Sequence, residues 1–406
     1  MTRTGPLVWT AVLAALFAFY LPTSVATEIS RLLSAVSIMG TAAFLLALLV
    51  LSRRTAPPLL LAVSGGMLGL LTVFTITSPF EAIAPGVVAL YVCVAVLYTL
   101  DLRGTEHPAL SWVFAGILIV SLAAGYALAA DVKWLDRFAY DYYNAFYPAL
   151  LWNMVFANDK PVLTFATHSV AGLMIYLLFY LQLKAFQIRG GLWRLAPAIG
   201  LLGLLILLRS TTGFAFGAVA TAQIAWALLR SYPHRAGVLG TAYALGAIMV
   251  LLASNVGVAT LYARAERALV GDRISGLFAR YSSEGLLATN FSYLSESPLS
   301  PIGFSVTETL YLGDSGIVVN LLRGSVPLVV LVYGGLLLFL RYNLKDGRAA
   351  LWIWTVVVLF EVGFTPLQYF RFVGFVPFMI MYLNSLHASP PVPTTAGAIA
   401  LRHDRR

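Results

Sequence analysis

The 406-residue chain has one cysteine, five histidines and charged side chains at only 11% of its positions. Ordinary soluble domains carry about 25% charge, so a soluble fold is excluded at the outset. Cys93 alone makes neither an intrachain disulfide nor a cysteine-built metal centre. No histidine pair stands at helical spacing, none lies between His234 and His387, and no Asp-x-Asp occurs, so neither a metal nor another cofactor is expected. Internal repeats and low-complexity tracts are also missing. Only residues 389–406, with three prolines and several charges, have the composition of a disordered tail.

What fills the chain is apolar: 60% of residues are hydrophobic and the mean hydropathy is +0.86. A hydrocarbon core of about 30 Å needs roughly 20 apolar residues per helix, and the backbone inside it must satisfy its own hydrogen bonds. The expected fold is therefore an all-α, polytopic bundle of about twelve helices forming one membrane domain over 1–388. The spans read as 7–26, 32–52, 59–77, 82–100, 109–130, 162–187, 192–208, 210–229, 236–260, 316–340, 349–365 and 367–386. The first has no small-residue cleavage site and reads as a retained helix.

Lys and Arg alternate between the connections. Fifteen fall on one side: Arg3, Arg53, Arg54, Arg103, Lys184, Arg189, Arg194, Arg230, Arg235, Arg341, Lys345, Arg348, Arg402, Arg405 and Arg406. The opposite short connections hold four, Arg31, Lys133, Arg137 and Lys160. The positive-inside rule then places both termini in the cytoplasm and the long polar stretch 261–316 outside. The net charge of +9 is absorbed by this asymmetry and calls for no nucleic acid. A second outside segment, 131–161, holds Trp134, Phe138, Tyr140, Tyr142, Tyr143, Phe146, Tyr147, Trp152 and Phe156, which suit an interfacial belt or a stacking platform for sugar rings.

The long stretch concentrates the chemistry. Arg264, Arg267, Arg273 and Arg280 come first, then Glu284, Glu296, Glu308 and Asp314, an order that suits an anionic leaving group followed by a base. Ile274, Leu277, Phe278 and Tyr281 recur at helical spacing with Arg273 and Arg280 on an adjacent face, fitting either an interfacial anchor or a pyrophosphate-binding face. Ionisable residues inside apolar spans cost about 2.5–3.5 kcal/mol each and need a reason. Arg209 precedes Ser210-Thr211-Thr212-Gly213, a hydroxyl-rich helix start able to hold an anion, or to be a plain N-cap beside a snorkelling arginine. Arg323, followed by Gly324 and Pro327, is expected to face a cavity or an acidic partner. Asp314 or Ser315 is expected to cap its helix. Glu361 and Arg371 stand five residues either side of Pro366 and are expected to pair across a hairpin. His168, about two turns inside its span, is a packing residue or a catalyst.

Three stretches together resemble the O-antigen ligase and polymerase superfamily: Phe165 to Gly172, Arg209 to Gly213, and Pro298-Leu299-Ser300-Pro301-Ile302-Gly303-Phe304 leading to Asp314-Ser315-Gly316 and Leu322-Arg323-Gly324. The resemblance covers about residues 160–340. It implies a glycosyltransferase C-type bundle with a large outside loop between helices 9 and 10, no metal, and transfer of a glycan from undecaprenyl diphosphate onto an acceptor hydroxyl. It also implies arginines on the diphosphate, carried over to Arg209, Arg273 and Arg280, with Arg323 as a further candidate. The ligases have a histidine near the end of the large loop, where this chain has Asp314, so the resemblance points to a polymerase. Asp314, Glu308 and His168 are the candidate bases. The partners implied are lipid-linked donor and acceptor glycans, membrane lipids, a chain-length regulator and a flippase. An O-antigen ligase is the alternative enzyme. A precursor transporter is the alternative of another class, and interrupted helices would mark it.

Overall fold

A computed structural model describes residues 5–20, 28–52, 56–130, 132, 163–165, 168–208, 210–232, 240, 281–282, 285, 287–298, 300–312 and 315–388, with the side chains of 28–34 and of Thr211 excepted. The expected ninth span 236–260 apart from residue 240, the aromatic segment 133–161, the arginine-bearing stretch 261–280 and the tail 389–406 lie outside the described residues.

Twelve α-helices are found among the described residues: α1 (Gly5–Tyr20), α2 (Glu28–Ser52), α3 (Pro58–Thr77), α4 (Pro85–Tyr98), α5 (Ala109–Ala129), α6 (His168–Arg189), α7 (Leu195–Leu207), α8 (Thr211–Ser231), α9 (Ala288–Glu296), α10 (Gly316–Asn343), α11 (Gly347–Phe360) and α12 (Phe370–Ala388). Each expected span other than the ninth meets one of them. The additional helix is α9, nine residues long, inside the stretch read as a loop. Six segments are long and apolar enough to cross a membrane, and large apolar side chains such as Trp9, Met39, Ile76, Trp112 and Trp226 point outward from their helices. The chain is a helical multi-pass membrane protein.

The helices divide between two compact units. One comprises Met1–Ala18, Ser34–Thr105 and Val258–Met381, and the other Phe19–Leu33, Glu106–Gly257 and Tyr382–Arg406. In the first, α10 packs on α3, α4 and α11. Gly335 permits the approach, since a Cβ there would stand 2.7 Å from Val63 and 2.8 Å from the Tyr98 ring. At one end of this unit Asn343 accepts from Leu102 N–H (2.6 Å) and donates to Leu100 O (3.2 Å), tying the connection after α4 to the end of α10. At the other end Ile83 and Ser305 form an isolated antiparallel bridge. The Arg103 and Arg341–Arg348 connections thus share one end, and the 298–316 segment lies at the opposite one.

In the second unit α6 is buried on nearly every face from Val170 to Leu183, and α7 and α8 pack along it. A helix apolar all round suits a central place of this kind as well as a lipid-facing span. α5 meets α7 through two reciprocal glycines. A Cβ on Gly125 would stand 2.7 Å from Leu204, and one on Gly200 2.9 Å from Leu122.

Candidate functional site

The polar structure of the first unit begins at the start of α10. Ser315 is the N-cap, its Oγ accepting from Val318 N–H at 3.4 Å. Of the two expected caps it is therefore Ser315 that does the work, and Asp314 lies outside the described residues. Gly316 N–H donates to the carbonyl oxygens of Glu361 (2.9 Å) and Phe364 (3.1 Å). A Cβ at Gly316 would fall 1.3 Å from Glu361 Oε2, so only glycine lets that carboxyl lie against the helix start.

Two turns further on, α10 breaks. Gly324 (φ −155°, ψ 19°) and Ser325 (φ 55°, ψ −161°) leave the helical region, and Ser325 occupies a left-handed φ that a non-glycine residue rarely adopts. Pro327 has no N–H to continue the ladder. The carbonyls released by the break are met from elsewhere, since Ile302 N–H donates to Leu322 O (2.9 Å) and Gly303 N–H to Arg323 O (3.0 Å). Irregular backbone at membrane depth must be buried in protein or line a water-filled cavity, and at these two carbonyls protein supplies the partners.

The donating segment is itself held tightly. Phe304 N–H donates to Thr75 Oγ1 (2.8 Å), Val306 N–H to Ala82 O (2.8 Å) and Ser305 Oγ to Phe80 O (3.0 Å). Gly303 has φ +56°, and a Cβ on it would stand 2.4 Å from Thr75 N and 2.6 Å from Leu71 O.

Arg323, 2% exposed, completes this clasp. Its Nη1 donates to Gly303 O (2.7 Å) and Ser305 O (3.2 Å). Of the cavity or acidic partner expected for it, no acidic side chain meets the guanidinium among the described residues. Backbone carbonyls aimed at one guanidinium replace the carboxylate, because the turn at Gly303–Ser305 presents them together. Its Nε has no partner among the described residues.

Beside it runs a buried polar relay. Tyr91 OH donates to Asn320 Oδ1 (2.7 Å), Asn320 Nδ2 to Tyr333 OH (3.0 Å), and Tyr333 OH to Glu361 Oε2 (2.9 Å). Glu361 Oε1 accepts from Leu367 N–H at 2.8 Å. The expected Glu361–Arg371 pair is therefore not formed by this carboxylate. The tight turn at Pro366–Gln368 returns a backbone N–H to Glu361 sooner than any side chain further along could reach it.

Over the start of α10, Asn290 of α9 is wholly buried and grips Tyr311 twice, accepting from its N–H (2.9 Å) and donating to its O (2.6 Å). Leu287, Ile302, Leu310, Val318 and Leu322 form an apolar cluster beneath. Tyr281 OH hydrogen-bonds Ser315 Oγ (3.0 Å) and the Val362 carbonyl. The stretch up to α10 is thus a packed element, and it presents Glu308 exposed in a turn of Thr307 to Thr309.

In the second unit Ser210 caps α8, its Oγ accepting from Gly213 N–H at 3.0 Å. A Cβ on Gly213 would lie 2.4 Å from Leu205 O, and one on Gly172 3.2 Å from Thr212, so the stretches around 172 and 210–213 adjoin. Tyr176 stacks on Phe216 at 4.7 Å, which fixes the same crossing. His168 is the half-buried first residue of α6. The expectation of two helical turns before it is corrected, since Leu163 to Phe165 form a turn outside the helix.

Of the candidate residues, Glu308 and Arg323 belong to the first unit and His168 to the second, while Arg209, Arg273, Arg280 and Asp314 lie outside the described residues. Asn290, Asn320, Tyr91 and Tyr333 were not singled out from the sequence. Asn320 carried a usable signal, as a lone amide in the run Ile317-Val318-Val319-Asn320-Leu321-Leu322. Among the described residues no group of three His, Cys, Asp or Glu is arranged to hold a metal ion. No family model, curated protein or solved structure matches the chain.

Proposed function

We propose that this protein is a glycosyltransferase C-type membrane enzyme that polymerises undecaprenyl-diphosphate-linked oligosaccharide repeats at the outer face of the bacterial inner membrane. The observation that supports this reading is the convergence of Pro298 to Phe304, Ser315-Gly316 and Leu322-Arg323-Gly324 on one polar structure. They make up one of the three stretches that carry the resemblance, and all lie within residues 298–324. An exposed carboxylate, Glu308, stands on the same packed element.

In the proposed reaction an acceptor hydroxyl attacks the anomeric carbon of the donor sugar. The bond to undecaprenyl diphosphate breaks, and the proton passes to a carboxylate, Asp314 or Glu308. Arg209, Arg273 and Arg280 hold the departing diphosphate through charge-assisted hydrogen bonds. Arg323, enclosed by carbonyls, is a positioning residue that fixes the 301–306 segment. A strain lacking the gene is expected to accumulate single repeats on undecaprenyl diphosphate. Accumulation of full-length lipid-linked polymer would identify a ligase instead.

One observation favours a transporter as the second reading, namely the interruption of α10 at Gly324–Ser325, since discontinuous membrane helices commonly border transport sites. In that case the deletion strain would retain its repeats on the cytoplasmic leaflet. Here the chain's own Ile302 and Gly303 N–H groups occupy the Leu322 and Arg323 carbonyls at the break, which weighs toward the enzyme.

A further inference from the structure

The second unit contains a pocket that the proposed reaction does not use. It has a volume of about 430 Å³, and Glu106, His107, Ser111, Trp112, Arg189 and Ser385 are among the residues lining it. That size is within the roughly 300–1,000 Å³ of small-ligand pockets. Its position is set by two membrane spans, because Ala109–Ala129 begins and His168–Arg189 ends at it. Trp112, 80% exposed in the first turn of α5, occupies the place where indoles anchor at a bilayer boundary. The pocket therefore opens where lipid headgroups lie.

Its chemistry is two-signed. The Arg189 guanidinium is oriented across the pocket by Ser111 Oγ (Nη1, 3.4 Å) and Ser385 O (Nη2, 3.4 Å). Arg194, stacked at 4.4 Å on the exposed Trp193 ring, lies close enough to Arg189 to add to the positive potential there. Glu106, half-buried, contributes a carboxylate to the same pocket. A purely anionic headgroup would meet Glu106 unfavourably. A choline headgroup offers that carboxylate no N–H donor, whereas a primary ammonium offers three.

We propose that this pocket binds one phosphatidylethanolamine molecule, with its phosphate on Arg189 and Ser111 and its ammonium on Glu106. The acyl chains then run along α5 beside Trp112. The site is independent of the catalytic reading, and a failure of either leaves the other standing.

The test is lipid retention by the full-length protein, measured by native mass spectrometry after release from nanodiscs containing equal phosphatidylethanolamine, phosphatidylcholine and phosphatidylglycerol. One phosphatidylethanolamine per protein is expected to survive delipidation in preference to the other two. Arg189→Ala is expected to reduce its retention about tenfold, the scale of losing a hydrogen bond to a charged group. Glu106→Gln, a conservative change in a half-exposed connection, is expected to keep the fold and to abolish the preference over phosphatidylcholine. Equal retention of the three lipids by the unaltered protein, or an undiminished ethanolamine preference in folded Glu106→Gln protein, would overturn the proposal.

Discussion

Arg323 and Gly303 hold each other twice: Arg323 Nη1 donates to Gly303 O at 2.7 Å, and Gly303 N–H donates to Arg323 O at 3.0 Å. The side chain and the backbone of one broken helix are thereby locked to a single turn of the preceding segment. The break in α10 and the fold of residues 301–306 are consequently one structure.

Substitution at either residue should release both. Gly303→Ala forces a methyl into Thr75 and demands φ +56° of a residue with a Cβ, so a loss of about 1–3 kcal/mol is expected from overpacking alone. Arg323→Ala leaves two buried carbonyls without their donor, at about 1–3 kcal/mol each. Arg323→Lys is expected to restore part of the loss, because an ammonium keeps the charge but not the planar fork. Thermal unfolding in detergent checks the series. A midpoint unchanged in Gly303→Ala would show that the clasp carries no stability.

The relay from Tyr91 to Glu361 is expected to behave as a coupled unit. Tyr333→Phe removes the donor to Glu361 Oε2, and Glu361→Gln removes the charge but keeps an acceptor for Leu367 N–H. The two changes together should cost less than their sum by about 0.5–3 kcal/mol. Strict additivity in a double-mutant cycle would show that the two side chains act independently.

A pH dependence is expected at the opposite end of the first unit. Asp101, whose side chain is 1% exposed, pairs with Arg103 at 2.8 Å and accepts from Tyr342 OH at 3.2 Å. Burial pushes its pKa up, but the bonds from Arg103 outweigh this and hold the carboxyl below its ordinary value. A depressed folded-state pKa contributes stability above the ordinary value of about 3.9, and that stability is lost as pH falls through the folded value. Because Arg103 is half exposed, the contribution should be only about 0.5–1 kcal/mol. Wild type and Asp101→Asn should therefore differ at pH 7, and the difference should shrink as pH falls below about 3.9. A difference that widened on acidification would contradict the assignment.

Orientation is testable with little preparation, since the only cysteine, Cys93, is 1% exposed. Cysteine introduced by Glu308→Cys should react with an impermeant maleimide added to spheroplasts. Cysteine introduced by Arg348→Cys should react only after permeabilisation. The reverse pattern would invert the topology and remove the proposed site from the outer face.

How far the sequence could be read depended on whether a feature is local. Spans such as Pro58–Thr77 and Ala109–Ala129 follow from apolar length, and the Ser210 and Ser315 caps from hydroxyls placed before apolar runs. The break in α10 was only half visible. Gly324 and Pro327 weaken a helix, but what stabilises the interruption is Ile302 and Gly303 arriving from 20 residues upstream. The α9 helix is short and weakly apolar, and it holds its place through Asn290 gripping Tyr311, which no periodicity records. Counting symmetrically from Pro366 suggested a Glu361–Arg371 pair. The turn instead placed Leu367 N–H on the carboxylate, and Tyr333, remote in sequence, took the other oxygen.

The central claim is that the protein lengthens lipid-linked glycans. Its most direct test is the length of the glycan on undecaprenyl diphosphate after purified full-length protein, in proteoliposomes, is incubated with single lipid-linked repeats. The account predicts a ladder of products longer by whole repeats. It also predicts that Asp314→Asn, which leaves the Ser315 cap in place, slows their formation about 10²- to 10⁴-fold if Asp314 is the base. Folded protein that leaves every repeat single, with or without moving it across the bilayer, would contradict the account.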